Sequence, residues 1–88
     1  MGKIFAYAWA SGLIEFGTTY PGGALPIYSG EEAPLREAVM ISARHSRIND
    51  DMLVPGIPEA ANQREALDAL INFSDHIKAT YLRLNNHA

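Results

Sequence analysis

The 88 residues allow one domain, read here as 1–88, and a hydrophobic share of 48% against 19% charged residues gives it material for a core. A net charge of −3 argues against duplex binding through a broad basic surface, and the absence of cysteine removes disulfide and thiolate-metal support. No apolar run approaches the ~20 residues of a membrane-spanning helix, and Tyr7, Ser11 and Glu15 interrupt any secretory-type apolar stretch near the start. A cysteine-free chain of this kind fits a reducing cytoplasm.

The segment Ile4 to Gly17 reads as two strands joined by a two-residue turn at Ser11-Gly12. That register sets Trp9 opposite Ile14 and Tyr7 opposite Phe16. Phe5, Tyr7, Trp9, Ile14 and Phe16 then share one face. The other face carries Ala6, Ala8, Ala10, Leu13, Glu15 and Gly17. The aromatic face is expected to seat the helices, with Trp9→Ala costing about 3–5 kcal/mol. The small face is expected either to be covered by the Thr18–Tyr28 connector or, as a flat apolar face, to serve as a partner surface.

Tyr20-Pro21-Gly22-Gly23 signals a turn. Ala24 to Tyr28 is extended because Pro26 keeps Leu25 out of the helical region, and it could add a short edge strand. A first helix is predicted from about Ala33 to Arg44. Pro34 fits only its first turn, and Leu35, Ala38, Val39 and Ser42 form one stripe. A polar connection, Arg44 to Asp51, follows. Met52-Leu53-Val54 reads as a third strand, ended by Pro55-Gly56. Asn62 with Glu65 forms a capping pair for a last helix from Gln63 to Leu84. Its apolar positions are Ala66, Leu67, Leu70, Phe73, Ile77, Tyr81 and Leu84, with Ser74 among them. The expected fold is α+β: a small antiparallel sheet in β-β-α-β-α order, with two helices packed on one face.

The chemistry-bearing residues are sparse. Ser11, His45 and Asp50 make a triad only on paper, since no nucleophile elbow or oxyanion motif surrounds Ser11. Gly22-Gly23 lacks the Lys and Ser/Thr of a phosphate loop. His45, His76 and His87 have no ligand spacing, and Asp50-Asp51 lacks a calcium-loop pattern. The expectation is no enzyme, no catalytic residue, no cofactor and no metal. Phe5, Tyr7, Trp9 and Phe16 could stack bases, but two amphipathic helices need that surface, so nucleic acid is not the favoured partner. Arg44, His45 and Arg47 form a basic cluster at a helix end. The helix dipole accounts for such cations, and an acidic partner or phosphate is the functional alternative.

Two features point to a homo-oligomer, most simply a two-fold dimer. One is the Ala6, Ala8, Ala10 and Gly17 face. The other is a last helix longer than a three-stranded sheet, with Tyr81 and Leu84 extending its stripe.

Several stretches resemble small proteins of transposable, Mu-like phages known as host-nuclease inhibitors. They are Lys3 to Gly17, Gly23-Ala24-Leu25-Pro26-Ile27, Ala43-Arg44-His45, Leu53 to Ala60, and the helix with Ala66-Leu67-Asp68-Ala69-Leu70. Together they span somewhat more than half the chain. The resemblance implies a cytoplasmic protein, made during infection, that binds a host component and blocks it. It carries no motif-level active site to transfer. The competing expectations are a nucleic-acid-binding module that shields phage DNA and a purely structural homo-oligomer.

Overall fold

The computed structural model describes residues 2–45 and 52–86. Three antiparallel strands form one sheet: β1 (Lys3–Ala8), β2 (Ile14–Gly17) and β3 (Leu25–Glu31), in spatial order β2-β1-β3. Two helices follow, α1 (Glu32–His45) and α2 (Gln63–Asn86), and pack on one face of the sheet. The class is therefore α+β. The third strand is the stretch after the Gly22-Gly23 turn. Met52-Leu53-Val54 contributes a single antiparallel bridge, Leu13 to Leu53, beside the start of β2.

The hairpin loop has three residues, Ala10-Ser11-Gly12, and this decides the face of every side chain in β1. The Trp9 amide donates to the Leu13 carbonyl at 2.9 Å, and the Gly12 amide donates to the Trp9 carbonyl at 2.8 Å. Gly12 takes φ +92°, a left-handed conformation that closes such a loop with a bulge. The pairs are Ala8 with Ile14, Tyr7 with Glu15, Ala6 with Phe16 and Phe5 with Gly17. Compared with a two-residue turn, the register slips by one residue, and such a slip exchanges the two faces of the strand.

The expected seating of the helices on the aromatic face is thus corrected. Ile4, Ala6, Ala8 and Ile14 face the helices and are buried. Phe16 joins them at the rim, where the Arg36 guanidinium stands 4.7 Å from its ring centre. The alanines let α1 approach the sheet closely. Leu35, Ala38, Val39 and Ser42, the predicted α1 stripe, are all fully buried. Leu70, Phe73, Ile77 and Tyr81 of α2 complete the core.

β3 tolerates Pro26 because it is an edge strand and because Ile27 forms a bulge between the pairs Tyr28–Ala6 and Pro26–Tyr7. Side chains of α2 close part of this edge. Ser74 Oγ donates to the Ile27 carbonyl at 2.6 Å, and the Glu31 amide donates to the Tyr81 hydroxyl at 3.1 Å. Tyr81 lies on the backbone at Gly30, where an added methyl would stand 2.6 Å from the ring. Its ring also meets Tyr28 edge-on, centres 5.4 Å apart.

The N-terminus of α2 is capped as its sequence predicts. Asn62 Oδ1 accepts from the Glu65 amide at 2.9 Å, and Glu65 Oε2 reaches back to the Ala61 amide at 3.1 Å.

Candidate functional site

The hairpin loop, the 54–60 segment and the first turns of α2 converge on an apolar groove. The Val54 amide donates to the Gly12 carbonyl at 2.7 Å, tying the segment to the loop. Two further turns, Ile57 to Val54 and Ala60 to Ile57, curl it toward α2. Gly56 has φ +82° and faces Ala69 of α2, where an added methyl would meet the Ala69 Cβ at 3.6 Å. Ile57 is thereby held beneath Gly12 and beside Ala66 and Leu70.

The resulting cavity measures about 490 Å³. Trp9, Leu25, Ile57, Leu67 and Leu70 line it, and Gln63 and Arg64 supply its polar rim. Leu25 and Leu67 are exposed by 50% and 48%, so the groove opens to solvent along two large apolar side chains. A smaller depression of about 190 Å³ continues it along α2 past Ile71. Such a site offers apolar burial with one cation at its edge. It suits a side chain or a short segment of another molecule better than it suits bond-making chemistry.

The outer face of the sheet is the second candidate. Tyr20 meets Phe5 edge-on at 5.3 Å, and Tyr7 meets Trp9 edge-on at 6.1 Å. Tyr7 is buried there, next to Gly17 and Trp9, whereas Phe5 and Trp9 are half-buried and Tyr20 is 43% exposed. The Trp9 indole N–H donates to Glu15 Oε1. A carboxylate therefore stands on this aromatic face.

The residues proposed from sequence do not assemble into one place. Arg44 is exposed in the last turn of α1. His45 ends that helix, and its side chain, like all of Arg47 and Asp50, lies outside the described residues, as does His87. Ser11 is exposed on the hairpin loop. Ala6 and Ala8 are corrected from partner surface to the chain's own core, as is Tyr81. Ala10 is exposed at the loop, Gly17 is half-buried at the far end of β2, and Leu84 is half-buried against the core. These six positions form no common surface.

His76 is exposed on α2, yet its ring reaches α1. Its Nδ1 lies 2.8 Å from Ser42 Oγ, joining the two helices. Ser42 is fully buried, so this contact satisfies its hydroxyl as a polar group of the core. Among the described residues, no three His, Cys, Asp or Glu side chains converge as a metal site would require, and no helix is long and apolar enough to cross a membrane.

Leu25, Ile57 and Leu67 are the groove residues that sequence reasoning missed. Leu67 is among the apolar positions of α2, but it lies to one side of the buried Leu70–Phe73–Ile77 line. With Ile71 it makes an exposed pair at i, i+4 spacing, and that pair was the available signal. No family model matches this chain, and no curated protein or solved structure matches it either.

Proposed function

We propose that the protein binds another protein and blocks it, without chemistry of its own. The apolar groove between the hairpin loop and α2 carries this reading. Leu25 and Leu67 stay half in solvent beside a cavity large enough to take a side chain, and Arg64 at the rim favours an acidic neighbour on the partner. The resemblance to host-nuclease inhibitors of Mu-like phages supplies the class of partner: a host nuclease or another defence factor, met in the cytoplasm during infection. Arg44, exposed at the end of α1, is a secondary contact in the same reading.

A nuclease assay tests it. Host nuclease digests linear duplex DNA with and without the purified protein. Slower digestion with the wild-type chain, lost in Leu67→Asp while that variant keeps its circular dichroism, supports the reading. Digestion unaffected by an excess of folded protein contradicts it.

A second reading has its own observation. The aromatic outer face of the sheet, with Phe5, Trp9 and Tyr20 partly open, could stack unpaired bases of DNA that the protein would then shield. Glu15 on that face and the net charge of −3 oppose it. A salt-dependent gel shift of single-stranded DNA, lost in Tyr20→Ala, would favour this reading over protein binding.

A further inference from the structure

The outward side of α2 carries four residues whose spacing reads the same in both directions. Ile71, Asp75, Lys78 and Leu82 follow at intervals of four, three and four residues. On a helix of 3.6 residues per turn they fall within an arc of roughly 60°. All four are exposed, Ile71 by 48% and Leu82 by 44%. Leu70, Phe73, Ile77 and Tyr81, which enter the core, lie on the other side of the helix.

The chemistry of the stripe changes on reversal. Read forwards it runs apolar, acidic, basic, apolar; read backwards it runs apolar, basic, acidic, apolar. Two antiparallel copies therefore oppose Ile71 with Leu82 and Asp75 with Lys78, and each pairing occurs twice. Among the described residues the salt bridge formed is Glu32–Arg36 on α1, so Asp75 and Lys78 are not paired with one another within the chain. Antiparallel helices also align their dipoles favourably.

We propose that the protein associates with a second copy of itself through this stripe, about a two-fold axis that passes between the two α2 helices at the level of His76 and Ile77. An axis of this kind makes the interface isologous, with the same residues contributed by both copies. Leu82 of the second copy arrives opposite Ile71. The depression of about 190 Å³ lined by Leu25, Leu67, Leu70 and Ile71 lies beside that point and receives it. The hairpin end of the groove, at Trp9 and Ala10, remains outside the contact. Leu25, Leu67 and Leu70 line both the depression and the groove, so self-association competes with partner binding at that end of the groove; this inference does not rest on the partner-binding reading. It replaces the small-residue strand face as the dimer surface, because Ala6 and Ala8 are in the core.

Sedimentation equilibrium on the full chain tests the proposal. One helix face per copy buries less than the ~800 Å² per partner of a standard interface, so the measurement runs from micromolar to submillimolar concentration. The wild-type mass should rise from 9.6 kDa toward twice that value. Lys78→Glu alone opposes two carboxylates on each side of the axis, and Asp75→Lys alone opposes two ammonium groups. Each should weaken association at least about tenfold. The double variant D75K/K78E re-forms both pairs with exchanged signs and should regain wild-type affinity. These positions are exposed, so circular dichroism should stay unchanged throughout. A wild-type mass fixed at 9.6 kDa, a dimer indifferent to K78E, or a double variant no tighter than the singles would each overturn the proposal.

Discussion

The two faces of the hairpin differ in a way opposite to their residue sizes. The face with Ile4, Ala6 and Ala8 is sealed under two helices, and Ala6 and Ala8 are exposed by 0% and 1%. The face with Phe5, Trp9 and, across the connector, Tyr20 stays partly open. Large side chains are the usual mark of a core, yet here alanines hold the core position. The reason is geometric. Helices rest against a sheet at a distance set by the side chains between them, and α1 brings Leu35, Val39 and Ala38 to this layer. Alanines opposite those residues fill the space without overpacking. The aromatics instead cover the outer face with their own rings, Phe5 on Tyr20 and Tyr7 on Trp9. A face is therefore chosen by what packs on it, and size alone does not choose it.

The largest test of this difference is a charge on the small face. Ala8→Asp puts an unpaired carboxylate among Ile14, Leu70 and their neighbours, and should cost more than about 3 kcal/mol, enough to leave much of the chain unfolded in urea titration at low denaturant. Next comes Gly30→Ala. The new methyl presses on the Tyr81 ring from 2.6 Å and should destabilise by about 1–3 kcal/mol, with an altered near-ultraviolet tyrosine signal. Gly12→Ala keeps the packing, since its methyl meets Ile57 and Pro58 only at ordinary contact distances, but strains a φ of +92°. Its cost should be about 1–2 kcal/mol in the same titration. The smallest effect belongs to Trp9→Ala on the outer face. It loses the edge contact with Tyr7 and an exposed hydrogen bond to Glu15, and should cost about 1 kcal/mol rather than the larger loss expected of a core tryptophan. A Trp9→Ala loss equal to that of Ala8→Asp would erase the distinction between the faces.

Sequence periodicity was enough for the helices. Leu35, Ala38, Val39 and Ser42 repeat at helical spacing and are all buried, and Asn62 with Glu65 caps α2 as their spacing requires. Both signals are local, so nothing distant could displace them. The strand faces were not legible in the same way. Their assignment depends on loop length, and Ala10-Ser11-Gly12 admits a two-residue or a three-residue loop from the letters alone. One residue of slip moved Trp9 from the expected core to the outer face and Ala6 and Ala8 in the opposite direction. The letters mark Ala24 to Tyr28 as extended, whereas β3 runs on to Glu31, with a bulge at Ile27 that accommodates Pro26. The groove was invisible for a further reason: Trp9, Leu25, Ile57 and Leu67 meet only after four separate segments are docked. The outward stripe of α2, by contrast, could have been read from the order Ile71, Asp75, Lys78, Leu82.

Trp9 is the only tryptophan of the chain, so its fluorescence reports on the disputed face without any substitution. Acrylamide quenching of the native protein, compared with the same protein in strong denaturant, measures how open that indole is. A half-open Trp9 on the outer face predicts native quenching at a large fraction of the denatured rate, with an emission maximum between those of buried and solvated indole. Emission strongly shifted to the blue, together with near-complete resistance to acrylamide, would place Trp9 under the helices and contradict the assignment of Ala6 and Ala8 to the core.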